Sequence, residues 1–168
     1  MNQDLEIKVV WWPANRKSEL SWILEESFEG WYLRHSMMKL RECNEVLVAC
    51  NKDAQPVGLA ILEKLQMKAG YIFYIAVARY GRGAGVGSRL LDEALKYFNE
   101  VRFTRVFAAV EQENIPSLKL FMSKGFTKTG FGELVKTYGF LTAISMYRQM
   151  VVVPGEILLV KELCSTAQ

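Results

Sequence analysis

The sequence predicts a mixed α/β fold: a central, twisted, mostly antiparallel sheet of about six to seven strands, flanked by about four helices. Three observations carry this expectation. Short runs rich in β-branched and aromatic residues recur along the chain, among them "LEIKVV", "EVLVACN", "YIFYIAV", "FTRVFAAVE" and "EILLVKEL". Between them, apolar residues fall at helical spacing, most clearly Val86, Leu90, Leu91, Ala94, Leu95 and Phe98. The resulting order, β-α-α-β-β-β-α-β-α-β-β, places a three-strand meander ahead of crossover helices.

Taken in order, Leu5 to Val10 reads as the first strand. Arg16 to Phe28 and Trp31 to Glu42 read as two helices broken at Gly30, with Ser18 or Asn15 as a cap for the first. "EVLVACN" and "QPVGLAILEK" are strands joined by a turn built on Asp53 and Pro56. Tyr71 to Val77 is apolar on both faces, as a central buried strand should be. The Val86–Phe98 stripe follows as a helix, and Phe103 to Glu111 as a strand. Asn114 opens a short helix as N-cap; Pro116 is tolerated in its first turn and Gly125 closes it. "FTKTGF" and "AISMYRQMVVV" read as two late strands, with Gly132 to Leu141 between them open to either state. No repeat or Pro/Ser-rich linker interrupts the chain, so residues 1–168 are expected to form one domain.

The bulk numbers narrow the function. The formal net charge of +3 is mild and argues against a nucleic-acid binder, which would cluster basic residues. No apolar run approaches the roughly 18 residues of a membrane span, and "MNQDLEIKVVWW" lacks the basic start and apolar core of a secretory signal. Cys43, Cys50 and Cys164 are scattered and expected to be small buried hydrophobes. The lone histidine, His35, reads as a helix surface residue. No zinc-type spacing is present, and a reduced, cytoplasmic setting is the natural expectation.

The stretch "RYGRGAGVGSRLL", Arg79 to Leu91, sits at the junction of the buried strand and the amphipathic helix. The first N–H groups of a helix lack internal partners and carry the positive end of its dipole. Glycine lets backbone approach a ligand closely and adopt positive φ. Together they make a cradle for phosphate or pyrophosphate, to which Arg82 and Arg89 can add charge-assisted bonds. A Walker A loop is excluded, because no lysine occurs between Arg79 and Leu95. A G-x-G-x-x-G dinucleotide fingerprint also fails from Gly81, Gly83 and Gly85. The spacing that fits is R-x-x-G-x-G, running from Arg82 to Gly87.

With that spacing, "IAVARYGRGAGVGSRLLDEAL" resembles the acyl-CoA-binding segment of the GNAT superfamily of N-acetyltransferases, Q/R-x-x-G-x-G/A after a buried strand. A second block, "VEQENIPSLKLFMSKGF", is similar to the family pattern through Val110, Asn114, Ser117, Phe121, Gly125 and Phe126. The resemblance implies a sheet splayed in the middle, with the pantetheine of acetyl-CoA in the gap and no metal. It implies that Ile75, Ala76 and Val77 present backbone groups to the pantetheine. Arg82, Gly83, Ala84, Gly85, Val86, Gly87 and Ser88 would hold the pyrophosphate. Asn114 would stand near the pantetheine, and Phe121 beside the thioester sulfur. Trp31 and Tyr32, in "FEGWYLRH", lie where the family builds its acceptor site, although core packing explains them equally well.

The implied reaction is acetyl transfer to a primary amine by direct attack. An amine of pKa near ~10.4 costs roughly 4–5 kcal/mol to deprotonate at pH 7, so a base is needed. Glu111, at the end of the fifth strand, is the best-placed carboxylate, with Glu113 just beyond and Tyr74 as a proton relay. Many relatives carry tyrosine where this chain has Phe121, and phenylalanine cannot protonate the leaving thiolate. A non-catalytic acyl-CoA-binding or sensing domain is therefore the alternative; a generic nucleotide-phosphate module is a weaker one. The expected partner is a small-molecule or peptide amine, with no nucleic acid and no membrane. The sequence leaves the assembly open: the late strands, rich in Val and Ile, offer one way to pair a homodimer.

Overall fold

A computed structural model describes residues 6–163. Seven strands are hydrogen-bonded in the order β1-β2-β3-β4-β5-β7-β6. They are β1 (Lys8–Trp11), β2 (Glu45–Cys50), β3 (Pro56–Leu65), β4 (Ala69–Val77), β5 (Arg105–Glu111), β6 (Thr127–Lys128) and β7 (Glu156–Glu162). The helices are α1 (Ser21–Ser27), α2 (Gly30–Glu42), α3 (Val86–Glu100), α4 (Ile115–Ser123), α5 (Phe131–Tyr138) and α6 (Phe140–Met150). The described residues cluster into two compact units, one holding 6–63 with Phe73–Lys96, the other Lys64–Ile72 with 97–163.

The expected meander is the run β2, β3 and β4, neighbours in that order. In the first unit β1 pairs antiparallel with β2 and β2 with β3, the latter with an irregularity at Ala49/Cys50. Val46, Val48, Leu59 and Ile61 are fully buried. The first helical segment differs from its reading: Ala14–Leu20 is a 3-10 helix, and α1 starts only at Ser21. Neither Asn15 nor Ser18 caps it through its side chain; Pro13 occupies the cap position and Ser21 Oγ donates to the Ser18 carbonyl. Proline cannot offer a hydroxyl or amide there, and its fixed φ suits the tight turn. Lys17 is buried, and its Nζ donates to the carbonyls of Cys43 and Arg41 at the end of α2. A cation there also complements the negative pole of the helix.

Helix α3 buries most of the predicted stripe: Val86, Leu90, Leu91 and Ala94 are almost inaccessible, while Leu95 is half-buried. It lies close on β3 because Gly58 has no side chain. A Cβ at Gly58 would meet Val86 Cγ1 at 2.9 Å and the Ala76 carbonyl at 3.0 Å.

In the second unit, β4 and β5 pair in parallel from Ala69↔Arg105 to Ile72↔Ala108, and β7 runs antiparallel between β5 and β6. Asn114 caps α4 as read: its Oδ1 accepts from Ser117 N–H at 3.2 Å. The far end of α4 is a Schellman closure: Phe126 N–H donates to the Phe121 carbonyl (3.2 Å) and Gly125 N–H to Met122 (3.0 Å). Gly125 sits at φ +82°, and the Phe121 and Phe126 rings meet edge to face at 5.0 Å. Asn114→Ala is expected to cost about 1 kcal/mol, read as a lowered Tm.

The late segments correct the sequence reading. "FTKTGF" supplies only the two-residue strand β6, and most of "AISMYRQMVVV" is helix α6. Among the described residues there are thus six α-helices, against about four expected. The valine triplet suggested a strand, yet Ala143, Met146 and Met150 are the buried positions, a helical spacing. The helix stops where Val151 turns left-handed at φ +53°. The extended segment that offered a homodimer pairing is therefore not a strand, and β7 is interior to the sheet.

Cys43 and Cys50 are buried and unpaired, as expected; Cys164 lies outside the described residues. Burial, then the bond from Cys43 Sγ to Glu63 Oε2 at 3.2 Å, pushes the Cys43 thiol up to about 12. Since the thiolate is the nucleophile, Cys43 is expected to resist iodoacetamide at pH 8 in the folded protein and to react after denaturation. Mass spectrometry of the alkylated peptide checks this.

Candidate active site

The glycine segment leaves β4 through a 3-10 turn, Arg79–Gly81, and then opens into α3. Arg89 N–H donates to the Gly85 carbonyl at 3.0 Å, so the helical ladder starts at Gly85. The N–H groups of Val86, Gly87 and Ser88 precede it and have no partner one turn back. Gly83 and Gly85 hold φ +78° and +75°, and a Cβ at either would meet nothing within 4 Å. The loop is thus an open, left-handed backbone arch at the positive pole of a fifteen-residue helix.

Its two ends are tied. Arg82 Nε donates to the Val77 carbonyl (3.2 Å), and its Nη2 to the Glu26 carbonyl (3.1 Å) at the end of α1. Glu26 Oε2 accepts from Arg79 N–H at 2.9 Å. Tyr80 stacks on Trp22 with centroids 6.3 Å apart and donates to the Pro56 carbonyl at 2.8 Å. Arg89 points elsewhere, its Nη1 donating to the Ile7 carbonyl at 3.0 Å. Glu26 went unnoticed in the sequence because its partner is 53 positions away. Of the strand residues expected to face pantetheine, Ala76 is buried, while Ile75 and Val77 are half-buried.

An aromatic cluster lies in the same unit. Trp31, 40% exposed, stacks on His35 (4.7 Å, 11° between planes) and meets Tyr32 edge to face at 5.1 Å. Tyr74 packs its ring edge to face on Phe28 at 5.1 Å. Its hydroxyl is 2.6 Å from His35 Nδ1. His35 corrects the sequence reading: it is only 9% exposed, not a surface residue. Burial lowers its pKa; the charge of Lys39 lowers it further and that of Glu42 opposes. The signal available in the sequence was its i,i+4 spacing from Trp31, which puts both on one helix face.

Glu111, Asn114 and Phe121 belong to the second unit. Glu111 is exposed at the end of β5, with Glu156 opposite it in the β7 register. Glu113 and Asn114 are also exposed. Phe121 is buried, held by the Schellman contact described above.

A buried strand opens through a left-handed glycine arch onto a helix N-terminus, an arrangement with the positive dipole end and free N–H groups that suit an anion. Residues 7–126 match the model of the Acetyltransferase (GNAT) family, and the chain belongs to that family. Solved structures agree at the level of fold. An IAA acetyltransferase from Bacillus cereus superposes with TM-score 0.70 at 19% identity, covering 94% of this chain and 100% of that one. The ribosomal-protein-S18-alanine N-acetyltransferase of Escherichia coli gives 0.71 at 12% identity, with 96% and 97% covered. The NatC complex bound to Gag peptide and CoA gives 0.71 at 16% identity, with 95% and 100% covered. Among curated proteins, none matches the chain by sequence. Among the described residues, no helix is long and apolar enough to cross a membrane and no cluster of metal-ligating side chains occurs.

Proposed function

We propose that residues 1–168 form one acetyl-CoA-dependent N-acetyltransferase domain, working in the cytoplasm on a primary amine of a small molecule or peptide. The observation that carries this reading is the arch at Gly83 and Gly85: left-handed φ, open space over both Cα atoms, and the leading N–H groups of α3 behind them. That geometry suits the pyrophosphate of coenzyme A. Arg82 through Ser88 would hold it, with Arg82 fixing the arch by its two carbonyl bonds. The backbone of Ile75 to Val77 would take the pantetheine, one N–H polarising the thioester carbonyl. Asn114 and Phe121 would complete the cofactor contacts.

Acetyl-CoA supplies an activated acyl group. The neutral amine attacks its carbonyl, the N–C bond forms, and the C–S bond breaks with its electron pair leaving on sulfur. The chain's task is to orient the amine, with Trp31 and Tyr32 as acceptor-site aromatics, and to remove its proton. Tyr74 and Glu111 are the groups proposed for the proton. A CoA thiolate is a competent leaving group, so phenylalanine at Phe121 is compatible with turnover.

The test is release of free CoA thiol from acetyl-CoA against a panel of amines: N-terminal peptides, a lysine peptide, spermidine and an amino sugar. Amine-dependent release with a mass gain of one acetyl group on the acceptor is expected. Tight acetyl-CoA binding with no turnover on any of them would instead favour the acyl-CoA-sensing alternative, which Phe121 and the unassigned general base support.

A further inference from the structure

His35 is the one histidine in the chain, and its surroundings are unusual for a residue that merely fills space. One ring nitrogen, Nδ1, lies 2.6 Å from the Tyr74 hydroxyl. The other, Nε2, is buried without a hydrogen-bond partner. Buried polar atoms are nearly always paired, so an exception calls for an explanation. Rings enclose the imidazole: Trp31 stacks on it, while Phe73 and Tyr74 both meet it edge-on with centroids at 5.8 Å. Neighbouring strand residues ordinarily point to opposite faces. Here the Phe73 and Tyr74 rings lie 6.4 Å apart at 23° and share His35, directly after Ile72, where the β4–β5 ladder ends.

The charged and titratable groups acting on His35 are Lys39 and Glu42 from its own helix and Tyr74 from β4. Lys39 Nζ sits over the Phe73 ring at 4.5 Å and 3.6 Å from Glu42 Oε2. Burial and Lys39 together hold the imidazole neutral at pH 7, the form able to accept a proton.

We infer that Tyr74 and His35 form a proton relay, in which Tyr74 Oη takes the proton of the attacking amine while its own proton passes to His35 Nδ1. The inference rests on the acetyl-transfer reading above. As N–C forms and C–S breaks, the surplus amine proton ends on the imidazole. The resulting imidazolium returns it to solvent through Tyr74 before the next turnover. His35 acts through Tyr74 and is a positioning residue; Tyr74 is the group that meets the amine.

Two measurements decide it. The first needs no substrate: the 15N spectrum of the whole chain contains one imidazole. Expected are an unprotonated Nδ1 with hydrogen on Nε2 at pH 7, a titration midpoint below 6.5, and a displaced Nδ1 resonance in Tyr74→Phe. Hydrogen on Nδ1, a midpoint at or above 6.5, or a spectrum indifferent to Tyr74→Phe would overturn the relay. The second is the pH profile of kcat/KM with the best amine of the panel. His35→Gln, which keeps an acceptor for Tyr74 but cannot titrate, and Tyr74→Phe should each lose about 10²-fold, together with the acid limb. The double variant should be no slower than either single one, since the two act as a unit. Additive losses, or an acid limb that survives His35→Gln in a folded variant, would overturn it. A wild-type protein that acetylates no amine contradicts the acetyltransferase reading instead, and the spectrum still decides whether the pair is built as described.

Discussion

Phe98→Ala is expected to lower the free energy of unfolding by about 3–5 kcal/mol. The ring is fully buried, stacks on Phe103 at 5.6 Å and touches Tyr97 at 5.3 Å. It also fills the space left by Gly70, where an added Cβ would lie 2.5 Å from two ring carbons. Gly70→Ala should therefore cost about 1–3 kcal/mol by overpacking, because a buried ring held on its other side cannot retreat. The two changes should couple: once Phe98 is alanine, the new methyl at position 70 has room, and the double variant should be more stable than the sum of the singles predicts. Urea unfolding of the four proteins measures this. Strict additivity would mean that Gly70 and Phe98 do not share the space described.

Gly85→Val is expected to weaken acetyl-CoA binding by about 10²-fold or more. A β-branched residue at φ +75° is strained whatever the space around it. Its side chain would also stand in the open arch that backbone N–H groups otherwise line. Because the site faces open space rather than the core, Tm should fall by only a few degrees, in line with about 1–2 kcal/mol of backbone strain. A variant that binds acetyl-CoA normally would place the cofactor away from the arch. The corresponding change at Gly58 acts differently: Gly58→Ala presses on Val86 and the Ala76 carbonyl, so it should destabilise the fold and disturb the first turn of α3 together.

The meander, the buried strand and the glycine arch were legible in the sequence because each rests on local chemistry. Period-2 or continuous apolar runs mark β2, β3 and β4; a helical stripe marks α3; Asn114 and Gly125 punctuate α4. The late region was not legible for a physical reason. Valines at 151–153 favour extended backbone, and they follow a helix whose buried face is carried by only Ala143, Met146 and Met150, a stripe too sparse to outweigh them. The glycine loop is legible from spacing, but what holds it in shape is not. Glu26, Trp22 and Pro56 reach it from elements far away in the chain. His35 was misjudged for the same reason, since its burial depends on Tyr74 and Phe73, 38 or more positions later. Phe121, read as a cofactor neighbour, has a structural duty besides, because it supplies the apolar contact of the α4 closure.

The central claim is that the arch after β4 binds the pyrophosphate of acetyl-CoA. Its most direct test is a calorimetric titration of the protein, first freed of copurified CoA, with acetyl-CoA, repeated on Arg82→Glu. One-to-one binding in the micromolar range, lost or weakened by about 10²-fold in a folded Arg82→Glu variant, is predicted, since the change removes the guanidinium that ties the arch and adds an anion beside a helix N-terminus. A folded wild-type protein that takes up no acetyl-CoA, or an Arg82→Glu variant that binds it as tightly, would contradict the account.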